Sequence, residues 1–242
     1  MMNMTESITS KTYDIWAYFY DHTFGALVKK RQTRALQQLH LAPGDTVLDI
    51  GVGTGMLLPK YPNFVTVVGL DLSAGMLAKA KDKCTELGLD HCQLVRADAM
   101  HPPFAEASFD HVMMSHTISV VSDPGKLIVW AQRLVKPGGR IVLLNHFQST
   151  NPFFAFFERI SNPIFVWIGW RSDLSLEEVM KHVDMTLEYR FKMRMVDLWQ
   201  IVVLRNTPSP ATTPKSQIQQ ATQAAADEDQ NNSRHRLALH GH

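Results

Sequence analysis

Three alternating glycines and two acidic residues are the part of the sequence best suited to binding a ligand. The segment VLDIGVGTG, which ends the first apolar run, contains Asp49, Gly51, Gly53 and Gly55. Glycine lets the backbone turn tightly and approach a ligand that a Cβ atom would exclude. Sixteen residues past Gly55, a second apolar run ends at Asp71, whose carboxylate can accept two hydrogen bonds from a ribose diol. The pattern predicts a nucleoside-like ligand at the carboxyl edge of a sheet.

A dinucleotide-binding turn is the main alternative, because it uses a similar glycine turn and a similarly placed acid. Counted from Gly51, its G-x-G-x-x-G pattern requires Gly or Ala where this chain has Met56. The pattern that remains is G-x-G-x-G. Asp71 and Asp98 also have ordinary structural interpretations, as an acid at a helix start capped by Ser73 and as a turn residue.

The elements that must position these residues alternate between apolar runs and helical stretches, which predicts a mostly parallel sheet with helices on both faces. The predicted buried strands are Thr46–Ile50, Thr66–Leu70, Cys92–Ala97, His111–Ser115 and Ile141–His146, and the predicted helices are Ala74–Leu87 and Gly125–Leu134. The last two candidate strands, Thr186–Met193 and Asp197–Arg205, are too close in sequence for a crossover. We therefore expect a seven-stranded α/β sheet with an antiparallel C-terminal hairpin at its edge.

Three regions lie outside this alternation. Residues 1–40 are predicted to form an aromatic and basic helical cap, with Tyr13, Trp16, Tyr20 and Phe24 on one helix face and an apolar stripe through Val28, Ala35 and Leu39. Residues 147–173 are an aromatic insert within the 41–205 domain, and residues 206–242 are predicted to be disordered because they are polar and lack aromatics. The seven aromatics of the insert are Phe153, Phe154, Phe156, Phe157, Phe165, Trp167 and Trp170.

Five segments in order resemble the class I S-adenosylmethionine-dependent methyltransferases, whose sheet is Rossmann-like. They are the glycine turn, the acid of VVGLDLS, the Ala97–Met100 loop, FDHVMMS (109–115) and VKPGGRIVLL (135–144). The resemblance covers roughly residues 12–205 and implies S-adenosylmethionine as the cofactor. The predicted cofactor-binding residues are Tyr13, Asp49, Gly51, Gly53, Gly55, Asp71, Leu72, Met76, Asp98, Ala99, Met100, Ser115 and His116.

A narrower resemblance is to the bacterial phospholipid N-methyltransferases that convert phosphatidylethanolamine towards phosphatidylcholine. It rests on SHTISVVSDP (115–124), LNHF (144–147), GWRSD (169–173) and the leading YDIWAYFYD (13–21). The resemblance implies successive methyl transfers to the headgroup amine. The predicted catalytic residues are Tyr20, His146 and Arg171, of which Arg171 suits a phosphate and His146 a donor or proton acceptor. Aromatic faces such as Tyr13, Trp16 and Tyr20 suit a methylated cation.

Each of these assignments has an ordinary alternative. The aromatic helix face can simply pack on the sheet, Arg171 can pair with Asp173, and a histidine among eleven is usually structural. The basic residues Lys29, Lys30, Arg31 and Arg34 attract anionic lipid in one interpretation and form a solvated helix face in the other. C-methylation of an isoprenoid quinone precursor is a second enzymatic possibility, and a cofactor-binding protein without catalysis is a third.

Composition limits the remaining possibilities. The 242 residues suit one domain with a full core, and a formal net charge of +1 gives no overall field for holding nucleic acid. Cys84 and Cys92 cannot form a disulfide framework and have no metal-site spacing, so no metal is expected. With no apolar run of about 18 residues and no apolar leader at its start, the chain is expected to be cytoplasmic and peripherally attached to the inner face of the membrane, with phospholipid as its partner.

Overall fold

The computed structural model describes residues 25–148, 174–193, 197 and 199–207, and of residues 25–27 only the backbone. The chain divides into two units, Met1–Asn206 and Thr207–His242, and all described residues except Thr207 belong to the first. The predicted tail beyond residue 207, the aromatic segment 149–173 and the aromatic helix face of residues 13–24 lie outside the described residues.

The described elements form a single mixed sheet with helices on both sides. The strands are β1 (Thr46–Ile50), β2 (Thr66–Asp71), β3 (Cys92–Arg96), β4 (Phe109–Ser115), β5 (Val135–His146), β6 (Thr186–Phe191) and β7 (Trp199–Arg205). The helices are α1 (Gly25–Leu36), α2 (Ala74–Leu87), α3 (Pro124–Leu134) and α4 (Leu176–Met180), with short 3-10 turns at Gln37–Leu39 and Leu58–Lys60.

The sheet has the order β3-β2-β1-β4-β5-β7-β6, in which β1 to β5 are parallel and β7 runs antiparallel to both β5 and β6. This arrangement confirms the predicted α/β fold with an antiparallel edge. The parallel strands all end at one edge, so the loops after β1, β2, β3 and β4 meet there.

Two layers of apolar side chains cover the sheet. On one face, Leu127 and Ile128 of α3 and Val179 of α4 pack against alternate residues of the strands. On the other face, Ala35 and Leu36 of α1 and Ala80 of α2 do the same. Val28 and Leu39 of the predicted apolar stripe are also fully buried, whereas Lys29, Lys30 and Arg34 are exposed.

The largest difference from the predicted boundaries lies where glycine and proline occur. Strand β5 begins at Val135, six residues before the predicted Ile141, and includes Pro137, Gly138 and Gly139. These residues are typical of turns, and the pairing with β4 is irregular there, since Val135 pairs with Phe109 and Arg140 with His111. A Cβ atom at Gly139 would lie 2.2 Å from the carbonyl oxygen of Asp110 on β4. Asn206, the first residue of the predicted tail, exchanges backbone hydrogen bonds with Gly138 and Gly139.

Candidate active site

The turn after β1 is held by neighbours that leave no room for a side chain at its first glycine. Gly51 has a φ of +73°, and its amide donates to the carbonyl oxygen of Leu70 at 2.7 Å. A Cβ atom at Gly51 would lie 2.3 Å from Oγ1 of Thr117, which donates to the carbonyl oxygen of Ile50 at 2.8 Å. Thr117, in the loop after β4, therefore fixes this turn. Sequence reasoning missed it because only the folded sheet brings the two loops together.

The second glycine of the turn faces open space. Gly53 has a φ of +57°, and no atom lies within 4 Å of the position that a Cβ atom would take. Its amide donates to Oδ2 of Asp71 at 2.9 Å, and the amide of Ser73 donates to Oδ1 at 2.9 Å. Each carboxylate oxygen has a second lone pair, so Asp71 can still accept hydrogen bonds from a ligand. Burial raises the pKa of Asp71.

The third glycine packs inward, against helix α2. A Cβ atom at Gly55 would lie 2.9 Å from the side chain of Leu58 and 3.1 Å from that of Ala80. From the same helix, Nζ of Lys83 donates to the carbonyl oxygen of Thr54 at 2.9 Å. The turn is thus held from below by a packed helix and a lysine, and a ligand can reach it from the side of Gly53.

The ends of β2 and β3 contribute an apolar surface and a tight turn. Leu72, just past the end of β2, is 54% exposed. Met76 and Ala99 are half-buried, and Met100 is buried. The amide of Met100 donates to Oδ1 of Asp98 at 2.8 Å. Asp98 therefore has the turn role recognised as its ordinary alternative, and adenine binding by this loop stays a prediction.

A buried carboxylate lies on the same face of the sheet as the half-buried Asp71. Asp49 is 2% exposed, and its Oδ2 accepts a hydrogen bond from the hydroxyl of Tyr61 at 3.0 Å. Burial raises the pKa of Asp49 to about 7; the Tyr61 hydrogen bond lowers it, and the charge of Asp71 raises it. Sequence reasoning identified Asp49 but not Tyr61, which follows the 3-10 turn Leu58–Lys60.

A separate group of polar and aromatic side chains lies at the ends of β4, β5 and β7, and we call it the acceptor corner: Arg31, Gln32, Ser115, His116, His146, Asp197 and Trp199. Oγ of Ser115 accepts a hydrogen bond from Nε2 of Gln32 at 3.1 Å. The His116 ring lies edge-on to Trp199, with centroids 5.8 Å apart. His146, which is 4% exposed, pairs directly with Trp199 across β5 and β7, so their side chains share one face of the sheet.

His116 has an unusual backbone and an uncharged ring. Its φ is +61°, a conformation that residues other than glycine seldom adopt. Burial, together with the positive charge of Arg31, lowers the pKa of His116 to about 4. Its Nε2 atom is buried and has no hydrogen-bond partner among the described residues. At neutral pH the ring is therefore uncharged and has a nitrogen left to bond with a ligand.

Arg31 differs from the other basic residues of α1. Its Nε atom lies 3.0 and 2.9 Å from the two carboxylate oxygens of Asp197, and its guanidinium lies 4.8 Å from the centre of the Trp199 ring. The side chains of Arg31 and Asp197 are 15% and 1% exposed. Arg31 therefore ties α1 to the start of β7, which corrects the expectation that all four basic residues face anionic lipid.

Comparisons with known proteins agree with this geometry. A family profile described as a methyltransferase domain matches residues 48–143. Phosphatidylethanolamine N-methyltransferase of Cereibacter sphaeroides is 35% identical over 171 residues, which cover 70% of this chain and 83% of that protein. The chain belongs to the class I S-adenosylmethionine-dependent methyltransferases. Demethylmenaquinone methyltransferase of Oceanobacillus iheyensis is also similar, with 34% identity over 119 residues, or 48% of this chain and 50% of that protein.

Solved structures show the same methyltransferase fold. Geranyl diphosphate C-methyltransferase from Streptomyces coelicolor, in complex with S-adenosyl-L-homocysteine among its ligands, superposes with a TM-score of 0.64 at 16% identity. The match covers 76% of this chain and 80% of that one. The cofactor of this methyltransferase is S-adenosylmethionine, as the sequence predicted.

The residues present fit this cofactor. The carboxylates of Asp49 and Asp71 repel each other when both are ionised, so a nearby cation would stabilise them. S-adenosylmethionine carries two positive groups, an ammonium and a sulfonium. Gly53 opens towards a ligand, and Leu72 exposes an apolar surface that suits an adenine ring. Asp71 would hold the ribose, and Ser115 and His116 would lie towards the methyl group. When bound, the cofactor supplies a methyl group that a nucleophile can displace from sulfur.

Several predicted residues of the methyltransferase fall outside the described residues. They are Tyr13, Tyr20 and Arg171, together with Trp16 and the aromatic insert. Phe147, which was predicted to begin the insert, is 1% exposed and belongs to the core. In the part of the chain that the structure describes, no helix is long and apolar enough to span a bilayer, and no three potential metal ligands cluster.

Proposed function

We propose that this methyltransferase transfers methyl groups to the amine of phosphatidylethanolamine, in successive steps towards phosphatidylcholine, at a membrane surface. The observation that carries the proposal is the extent of the likeness to the Cereibacter sphaeroides enzyme, which covers 83% of that protein. The likeness to the demethylmenaquinone enzyme covers 50% of its length. A likeness that extends further includes more of the regions outside the glycine turn and its two carboxylates, Asp49 and Asp71, which we call the cofactor turn. Those outer regions are the ones that select an acceptor.

The chemistry of His116 supports an amine acceptor. An amine attacks through its lone pair, so it must be uncharged when the new N–C bond forms, and its ammonium proton can leave to water beforehand. A neutral imidazole does not repel a partly cationic headgroup, and its Nε2 can accept a hydrogen bond from the amine N–H. With a pKa of about 4, His116 would act as a hydrogen-bond acceptor for the amine and not as the base that takes its proton.

Lipid access in this proposal depends on the basic and aromatic residues of the N-terminal region and on Arg171, which follows the aromatic insert. The exposed Lys29, Lys30 and Arg34 of α1 would attract anionic lipid, each with about 1 kcal/mol near a membrane surface. From the family resemblance, Arg171 would bind the phosphate, and Tyr13, Trp16 and Tyr20 would stabilise the methylated nitrogen. His146 remains a proposed donor or proton acceptor in the acceptor corner.

The experiment that tests the proposal follows radiolabel from S-adenosylmethionine into phosphatidylethanolamine vesicles, with the lipid products separated. We expect label in the mono-, di- and trimethylated lipids, and no labelled lipid product would reject the proposal. Arg171→Ala should lower the activity by about 100-fold, since a phosphate contact to a charged donor is lost. Arg133→Ala, at the far end of α3, is the matched control and should leave the activity unchanged.

C-methylation of a quinone precursor is the second candidate, and the demethylmenaquinone relative favours it. It requires no phosphate contact, so Arg171→Ala would then leave activity towards a demethylquinone nearly intact. His116→Phe distinguishes the two acceptors further. It keeps a ring beside Trp199 but removes the hydrogen-bond acceptor, and we expect about a tenfold fall in kcat with phosphatidylethanolamine and little change in kcat with a demethylquinone.

A further inference from the structure

Tyr61 makes a buried contact that the methyltransferase reaction itself does not explain. It follows the 3-10 turn Leu58–Lys60, and its amide donates to the carbonyl oxygen of Leu58 at 3.2 Å. Tyr61 is 4% exposed, and its hydroxyl donates to Oδ2 of Asp49 at 3.0 Å. Tyr61 therefore determines the orientation of the carboxylate at the end of β1.

The groups around Asp49 leave its charge without a cation in the described part of the chain. The titratable groups that face it are Tyr61, Asp71 from β2 and Cys92 from β3, and none of them is positive. A buried carboxylate needs hydrogen bonds or an opposite charge to stay ionised. Tyr61 provides one hydrogen bond, and among the described residues Oδ1 of Asp49 accepts none.

The turn that follows Asp49 is open on one side. The turn contains Gly53, and no atom lies within 4 Å of the position that a Cβ atom would take at this residue. A cationic group that approaches there would meet two carboxylates, Asp49 and Asp71, which already raise each other's energy when both are ionised. The amino-acid part of S-adenosylmethionine carries an ammonium, which matches this demand.

We propose that Tyr61 is a positioning residue of the cofactor site, whose hydroxyl orients the Asp49 carboxylate so that Oδ1 receives the ammonium of S-adenosylmethionine. Without the Tyr61 hydroxyl, the Asp49 carboxylate can rotate and takes up a proton more readily. The proposal concerns the cofactor alone, so it stands or falls independently of the acceptor lipid.

The test compares Tyr61→Phe with the wild-type enzyme by calorimetric titration with S-adenosylhomocysteine between about pH 5.5 and pH 7.5. The wild-type affinity should rise with pH as Asp49 ionises. Tyr61→Phe should weaken binding about tenfold near neutral pH and move the rise to higher pH, because a hydrogen bond to the charged form is lost. Tyr189→Phe is the control, since it removes a tyrosine hydroxyl that donates to Oε1 of Gln38 at 3.1 Å, away from the site, on a side chain that is 37% exposed.

Two further titrations separate positioning from a structural role. Methylthioadenosine has the nucleoside but no amino acid, so its affinity should change less than twofold in Tyr61→Phe. In an Asp49→Asn background, Tyr61→Phe should cause no further loss of S-adenosylhomocysteine affinity. An equal loss for methylthioadenosine, an equal loss in the Asp49→Asn background, or an unmoved pH profile would overturn the proposal.

A measurement on the wild-type enzyme keeps the proposal testable even if Tyr61→Phe fails to fold. Cofactor binding near pH 6.5 should release protons, because the ammonium favours the ionised form of Asp49. Titrations in two buffers with different ionisation enthalpies measure this release. Asp49→Asn should abolish most of it, and wild-type binding without proton release would contradict the proposed contact.

Discussion

The cofactor turn and the acceptor corner are both built at the carboxyl edge of the sheet, but they are assembled differently. The cofactor turn comes from contiguous segments, and its key contacts join Gly53 to Asp71 and Tyr61 to Asp49 over 18 and 12 residues. The acceptor corner joins Arg31 to Asp197, 166 residues apart, and Gln32 to Ser115, 83 residues apart. Local contacts can be encoded in a short motif, whereas distant ones depend on how helix α1 docks.

The largest expected effect tests the distant contact. Arg31→Met removes the cation beside Asp197, whose side chain is 1% exposed, and should lower the free energy of unfolding by about 3 kcal/mol, because an uncompensated charge is left buried. Urea unfolding measures the change. Lys30→Met, at an exposed position of the same helix, is the control and should change stability by less than about 0.5 kcal/mol. Equal effects of the two substitutions would mean that the ion pair does not stabilise the corner.

The next effect tests the local turn. Gly53→Val should weaken cofactor binding by about 100-fold, because a β-branched side chain would occupy the open side of the turn and is strained at φ +57°. Gly138→Val is a matched control, with a φ of +82° and similar open space but a position at the start of β5. Both variants should unfold at lower temperature, and only the first should lose S-adenosylmethionine in a calorimetric titration. Equal cofactor affinities would contradict the assignment of the turn.

A pH dependence follows from the buried carboxylate of the cofactor turn. The folded-state pKa of Asp49 is about 7, above its ordinary value of 3.8, so its contribution to stability is full below about pH 4 and is lost as the pH rises to 7. The lowered pKa values of His111 and His116 act in the opposite direction. We therefore predict the difference in unfolding free energy between Asp49→Asn and the wild type. As the pH rises from about 4 to 7, Asp49→Asn should gain up to about 1.4 kcal/mol of stability per pH unit relative to the wild type. A difference that does not vary with pH would be inconsistent with the raised pKa of Asp49.

The smallest effect tests the link between the two regions. Thr117→Val keeps the shape that fits against Gly51 but loses the hydrogen bond to the carbonyl oxygen of Ile50. We expect a loss of about 1 kcal/mol in stability and a few-fold weaker cofactor binding. Thr85→Val removes a similar hydrogen bond on the exposed face of α2 and should have little effect on either quantity. If Thr117→Val behaves like Thr85→Val, the two loops are not coupled through this hydroxyl.

Much of the cofactor turn was predictable from the sequence because its geometry depends on local backbone conformation. Gly51, Gly53 and Gly55 all have positive φ values, and glycine is the residue type that adopts them at little cost. Asp71 could be found from its spacing at a strand end. Tyr61 and Thr117 could not be found in this way, since no local rule states that their side chains meet the turn.

The boundaries of β5 show why periodicity alone fails at its start. Pro137, Gly138 and Gly139 favour a turn by local preference, and the register between β4 and β5 shifts at these residues, between the pairs Phe109–Val135 and His111–Arg140. The strand continues beyond them because pairing with β4 resumes at Arg140, where pairing with β7 also begins.

The sequence by itself determined the alternation of strands and helices, the glycine turn and its two carboxylates, because strand periodicity and glycine conformation are local properties of the chain. The methyltransferase family followed from the resemblance of five segments in order. The tertiary structure decided that Arg31 pairs with Asp197, that His116 is uncharged beside Trp199, and that Tyr61 orients Asp49. Each of these depends on burial and on neighbours from distant segments, and the pKa values and ion pairs that result exist only when the chain is folded.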